Sequence, residues 1–350
     1  MESINPQLAA QEFLRRQRAR TSLVEFSQSV DIPSVPLLDS PDPLDEVNEH
    51  GGLSRPKEET PTRYAPVETR VAIHHRLMMQ ALQRCIETPR GRLMLFMPPG
   101  AGKSVYSSVL APSWIMGKKP GTQIILASYG TSIAAKQSRK VRAICRDPRY
   151  TALWPERPTL MDDQRAVDDW QLSNGSSMMA AGLLAGITGN RADGLVLDDV
   201  VANREHADSA TLREKTYSEY IDTAMTRAKP KMWTVVVQTR WHEEDLAGAI
   251  LPADYSGESG SIKCRDGQTW EVLSIPAEAE HDNDPLGRKV GDFLWPEWFP
   301  KEHWATWRDN PRAARTWSAL YQQRPAPFSG IHFNREMFRR FDLDRPRADT

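Results

Sequence analysis

Between about residue 66 and residue 256 the chain alternates short, wholly apolar runs with longer stretches whose apolar positions recur at helical spacing. Residues 93–97 (LMLFM), 123–127 (QIILA), 195–197 (LVL) and 233–237 (WTVVV) read as strands. Residues 103–116, residues 131–146 and a charged stretch from about 207 to 227 read as the helices that follow the first three. Strands that are apolar on both sides must be covered on both sides, so the pattern predicts an α/β fold with a mainly parallel, doubly wound sheet. Right-handed crossovers bring the C-terminal ends of such strands to one edge, where these sheets bind ligands.

The pattern changes outside this region. Residues 7–28 suit one short amphipathic helix able to dock on a partner. Residues 32–68 are rich in Pro, Asp and Glu, with too few clustered apolar positions to offset the entropy of ordering. The chain therefore divides into an N-terminal helix and disordered tail (1–64), a core (65–256), an accessory or lid region completing the same domain (257–328) and a closing linker (329–350). The accessory region holds a short strand at 270–275 and the tryptophan-rich run LWPEWFPKEHWATW.

Composition mainly excludes. A length of 350 residues with 39% hydrophobic content can bury a core, and a net charge of -1 means that any nucleic acid must be held by a local basic surface. Cys85, Cys145 and Cys264 lie far apart and show no paired spacing, so neither a disulfide framework nor a zinc site is indicated. No run nears the ~20 apolar residues of a membrane span, and the first residues lack the apolar core of a signal peptide. These features suit a soluble intracellular protein.

Two strand ends carry candidate chemistry. Between the first strand and its helix stands MPPGAGKS, Met97 to Ser104, in the strand–loop–helix setting that a phosphate-binding loop requires. Gly100 and Gly102 allow backbone N–H groups to turn toward phosphate oxygens, flanked by Pro99, Ala101 and Val105, while the following helix points its positive end at the same anion. Lys103 would reach the β- and γ-phosphates of ATP, and Ser104 would complete the shell of Mg2+. The strict pattern opens with Gly, where this chain has Met97. About ninety residues on, GLVLDD ends an apolar strand in Asp198 and Asp199. There Asp198 would hold the metal through water, and Asp199 would position and deprotonate the attacking water. The bland alternatives are a chance Gly-rich turn and a solvent-facing acidic turn.

With these motifs placed, the segments MPPGAGKS, GITGNRADGLVLDDV, VVVQTRWHEEDLAGAIL, LWPEWF and ALYQQRPAPFSGIHF, in this order, resemble the large terminase subunits of tailed bacteriophages, over about residues 65–330. The resemblance implies a P-loop NTPase whose ATP hydrolysis drives double-stranded DNA into a procapsid. The partners it implies are DNA, the portal protein, the small terminase subunit and further copies of the chain in a ring. The implied place is the host cytoplasm at the portal, not the mature virion. Gln238, Thr239 and Arg240 fall where the family couples phosphate loss to motion, the bland alternative being that Arg240 and Trp241 simply close the sheet edge by stacking and hydrogen bonding. Relatives often carry an arginine inside the loop, where this chain has Gly100-Ala101. Arg191 resembles the residue that some relatives insert into a neighbouring site, the competing role being a salt bridge to Asp193. The family continues into a nuclease domain, which is not expected here, and Asp342, Asp344 and Asp349 read as linker charges.

Other residues have duller readings. His74-His75 suits a packing or surface pair, the eleven tryptophans suit core or interface anchors, and Arg139-Lys140 and Lys229-Pro230-Lys231 suit solvated ends or DNA-phosphate contacts. Two further functions stay open. An AAA-type or helicase-like ATPase should carry an Asp-Glu pair and a sensor asparagine, where this chain has Asp198-Asp199 and Gln238-Thr239. An adaptor would bind ATP at the portal without turning it over.

Overall fold

A computed structural model of the protein describes residues 6–32, 71–161, 166–185, 187, 189 and 191–326. The expected tail, beyond its first residue, and the linker from 329 lie outside the described residues. Among those described, eight strands form one sheet: β1 (Arg92–Phe96), β2 (Gln123–Ser128), β3 (Asp169–Gln171), β4 (Ser177–Gly182), β5 (Ala192–Asp198), β6 (Ala228–Gln238), β7 (Gly260–Lys263) and β8 (Thr269–Ser274). Their order is β3-β4-β2-β5-β6-β1-β8-β7. The central six run parallel, and an antiparallel partner closes each side, β3 on β4 and β7 on β8.

All four expected core strands are present. The strand expected in the accessory region is β8, which pairs in parallel with β1 from Leu93↔Glu271 to Phe96↔Ser274, so the sheet itself continues past residue 256. Three strands were not anticipated. Of these β4 reads SMMAAG, without a β-branched residue, and is extended because β2 and β3 supply hydrogen-bonding partners on both sides.

Alternation along β1 sends Leu93 and Leu95 into one core cluster and Met94 and Phe96 into the other, one on each face of the sheet. The N-terminal residues complete the first cluster. Helices Pro6–Thr21 and Leu23–Ser27 are broken at Ser22, whose side chain accepts from Glu25 N–H at 3.3 Å and caps the second helix. Leu23, Phe26 and Ile32 are buried, Phe26 meets Tyr150 and Trp154 at ring centroids 6.2 and 5.9 Å apart, and Trp114 donates to the Ala19 carbonyl at 3.1 Å. This amphipathic segment thus finds its apolar partner within the chain.

Two expected helices are irregular. The one after β1 passes through a π-helical stretch, Val105–Leu110, before continuing as Ala111–Lys118, because Pro112 has no N–H to donate to the Ser108 carbonyl. The charged stretch is split into Arg204–Asp208 and Ala210–Ser218 and ends in π and 3-10 turns. Among the described residues no helix is long and apolar enough to cross a membrane.

Register decides where the site falls. Asp198 stands opposite Val237, and Phe96 opposite Gln238, so β5, β6 and β1 end level at one edge with β6 in the middle. At about 4.8 Å between neighbouring strands, the loop after β1 and the acids after β5 are roughly 10 Å apart, a gap that long side chains can bridge.

Candidate nucleotide site

The loop after β1 requires glycine at two places. Gly100 and Gly102 have φ of 83° and 80°, in the left-handed region that L side chains avoid. A Cβ would stand 2.8 Å from the Phe299 ring at Gly100 and 2.7 Å from His75 Nε2 at Gly102. Pro99 and Gly100 are exposed, whereas Ala101 and Lys103 are buried. The departure at Met97 has a structural reason, since its side chain is a core residue and is fully buried. Lys103 Nζ reaches across the end of β6 to 3.7 Å from Asp199 Oδ2, and the Ser104 hydroxyl donates to Asp198 Oδ1 at 2.9 Å.

In a regular strand consecutive carboxylates face opposite ways. Asp199 avoids this by turning into the left-handed region, φ 44°, a conformation Asp tolerates better than most residues. Hydrogen bonds on every side hold it: its N–H donates to the Val237 carbonyl at 2.8 Å, its carbonyl accepts from Tyr129 N–H at 3.3 Å, and its Oδ1 accepts from Thr239 N–H at 3.1 Å. Both acids therefore stay beside the loop. Burial, and then the adjacent Asp199 carboxylate, push the Asp198 carboxyl up to about 7 against the opposing pull of the Ser108 and Ser104 hydroxyls and of Lys103. Lys140, on helix Thr131–Arg146, is a half-buried cation in the field of Asp198, held below its ordinary value by burial and by Lys136.

The expected coupling residues behave differently from one another. Thr239 touches both halves of the site, through its N–H to Asp199 and its hydroxyl to the Met97 carbonyl at 3.5 Å. Gln238 is buried, and neither amide atom has a hydrogen-bond partner among the described residues. The Arg240 guanidinium is committed elsewhere: it pairs with buried Asp245 at 2.9 Å and lies 5.2 Å over the Phe96 ring. That is the geometry expected of a side chain closing the sheet edge. Arg191 is exposed and donates to the Ala228 carbonyl at 3.5 Å. Asp193, its competing partner, instead bonds Lys229 Nζ at 2.8 Å and Gln123 N–H at 2.9 Å. Seven residues of β5 separate Arg191 from Asp199, on the order of 20 Å, so Arg191 cannot act on the site of its own chain.

Beneath the loop lies the histidine pair whose sequence suits either packing or the surface. His74 and His75 are buried with ring centroids 3.9 Å apart, His75 meets Tyr106 at 4.4 Å, and Trp295 covers both at 5.1 and 4.7 Å. His75 Nε2–H donates to the Ala101 carbonyl at 3.0 Å, and neither nitrogen of His74 has a partner among the described residues. A cavity of about 750 Å³ beside them is lined by His74, Arg288, Phe293, Trp295 and Phe299. The signal was in the sequence: His75 shares its helical spacing with buried Met79, Leu82 and Ile86.

A model of the terminase large subunit family, T4likevirus-type, N-terminal, matches residues 94–325, about two thirds of the chain. This chain belongs to that family. The matched span holds both glycines of the loop, both acids and the segment from Gln238 to Arg240. Among solved structures the terminase chain is similar to a mutant of the large terminase ATPase domain of Thermus phage P74-26, at 15% identity and TM-score 0.41, over 67% of this chain and 89% of that one. No curated protein matches.

The histidine pair gives this terminase a pH signature. Burial lowers both imidazoles, His74 to about 2 with His75 as a further repulsion, and His75 to about 4 against its bond to Ala101. The unfolded chain takes up these protons near pH 6.5 and the folded chain does not, so the stability is full above that pH and is lost as pH falls, toward about 4 for His75 and about 2 for His74. Between pH 6.5 and 5 each histidine removes at most about 2 kcal/mol. Asp198, raised in the fold, works in the opposite direction between about pH 4 and 7. The difference between wild type and His74→Leu isolates the histidine: the variant should lose less in Tm between pH 7 and pH 5. Parallel Tm–pH curves would contradict burial of a neutral imidazole.

Proposed function

We propose that this chain is the ATP-hydrolysing motor domain of a viral terminase, binding ATP at the common edge of β1, β6 and β5 and using its hydrolysis to move double-stranded DNA into a procapsid. One observation carries the reading: Lys103 with Asp199, and Ser104 with Asp198, meet across an intervening strand at the end of the sheet. A buried lysine and a partly buried serine on a loop with no room for side chains at Gly100 and Gly102 fit a polyphosphate.

In this reading residues from Pro99 to Val105 surround the phosphates, and the Lys103 ammonium leaves Asp199 for the β- and γ-phosphate oxygens. Ser104 and Asp198 offer the hard oxygen donors that Mg2+ takes. Bound there, the ion would offset charge on the β- and γ-phosphates. Asp199, freed from Lys103, orients the attacking water and accepts its proton. Thr239 registers the change through its bond to Asp199, and buried, unpartnered Gln238 is the second group able to respond. The aromatic cavity next to Gly100 suits the adenine ring. Arg191 acts on a neighbouring copy in a ring, where a guanidinium stabilises charge spreading over the γ-phosphate. The portal protein, the small terminase subunit and DNA are the partners of such a ring.

Phosphate release tests this. Wild type should show magnesium-dependent turnover, and Arg191→Ala chains mixed with Lys103→Ala chains should recover part of the rate that each lacks alone. Absence of magnesium-dependent turnover, with DNA or without, sinks the reading.

A further inference from the structure

Gln322 and Gln323 stand in tandem, buried, on the segment that follows the helical turn Trp317–Tyr321, and their side chains diverge. The Gln322 amide accepts from Glu278 N–H at 3.0 Å and donates to the Glu278 carbonyl at 3.1 Å and to Glu280 Oε1 at 2.7 Å. Ala277 N–H adds a bond to the Tyr321 carbonyl at 2.8 Å. These contacts tie the segment to the chain leaving β8. Gln323, fully buried at φ 57°, turns the other way: its Oε1 accepts from Arg240 N–H at 3.2 Å, and its amide nitrogen donates to the Leu320 carbonyl. The segment thus spans the chain ends after β6 and β8, the two neighbours of the loop-bearing strand β1.

The piece between Thr239 and Asp245 is stiff. Asp245 pairs with the Arg240 guanidinium, accepts from Trp241 N–H at 3.1 Å and caps helix Leu246–Ile250 through Gly248 N–H at 2.9 Å. Two adjacent N–H groups lead away from this rigid unit in opposite directions. Thr239 N–H goes to Asp199 in the site, and Arg240 N–H goes to Gln323.

We infer that Gln323 is a positioning residue that passes the state of Asp199 to the segment 320–326, so that this segment shifts when the site exchanges a triphosphate for a diphosphate. The inference rests on the nucleotide reading above. When Asp199 turns from Thr239 N–H toward a bound water, the Gln238–Thr239 peptide loses an anchor and turns, and the adjoining Thr239–Arg240 peptide turns with it. Arg240 N–H is buried, and leaving it without an acceptor costs about 1–3 kcal/mol. That cost makes the segment carrying Gln323 follow the peptide. Residues 320–326 lead directly into residues 327–350, so the shift is delivered to the C-terminal part of the chain.

Amide hydrogen exchange on the full chain tests this, comparing magnesium–ADP with magnesium–ADP–beryllium fluoride. Protection of peptides spanning 318–326 should differ between the two states in wild type. Gln323→Met, which fills the volume and removes the acceptor, should bind magnesium–ADP within about twofold of wild type and lose that difference. Gln322→Met, which leaves the Arg240 bond intact, should keep it. The inference is overturned if Gln323→Met keeps the difference, or if wild type shows nucleotide-dependent protection over 97–104 and none over 318–326. The second outcome needs no variant to fold. Wild type that binds neither nucleotide contradicts the nucleotide reading itself, a result distinguishable from failure of the relay.

Discussion

Lys103→Ala is expected to lower ATP turnover by roughly 1,000-fold or more, the scale on which a single charge-stabilising group matters in phosphoryl transfer. The size follows from what stands near the site. Lys103 is buried, it pairs with Asp199 across β6, and the loop carries Gly100-Ala101 where an arginine could have shared its role. Arg191 lies at the far end of β5, so its guanidinium does not compensate within the same chain. Steady-state phosphate release checks this, alongside a circular dichroism spectrum to show that the variant is folded. Turnover within about tenfold of wild type would remove Lys103 from the reacting phosphates.

Asp199→Asn is expected to slow turnover by about 100- to 10,000-fold, the range typical of a general base, while leaving nucleotide binding nearly intact. This substitution is unusually clean here. Asn tolerates the left-handed backbone that residue 199 adopts, and an amide oxygen can still accept from Thr239 N–H. What is lost is the charge and the capacity to take a proton. Single-turnover hydrolysis and nucleotide titration separate the two effects. A variant that turns over normally would show that the water is activated by another group.

Much of this arrangement is legible in the sequence, for identifiable reasons. The core strands β1, β2, β5 and β6 carry apolar runs because both faces of the sheet are covered, and the loop announces itself through glycines that the backbone requires. Strand β4 was not legible, because SMMAAG is extended through its neighbours and not through its own preferences. Strand β8 was found, but its place next to β1 depends on a pairing between residues nearly 180 positions apart. The partner of Arg240 was not legible, because a sequence shows the proximity of an arginine to a motif but not the buried Asp245 that pairs with it. The bond that Arg240 N–H donates to Gln323 is likewise a product of tertiary packing.

One triphosphate is expected to lie between the lysine after β1 and the paired acids at the end of β5. A crystal structure of the chain with magnesium and a non-hydrolysable ATP analogue tests it most directly. The Lys103–Asp199 pair should then be open, with Lys103 on the β- and γ-phosphate oxygens and the metal shared by Ser104 and Asp198. A nucleotide bound elsewhere, with Lys103 still against Asp199, would contradict it.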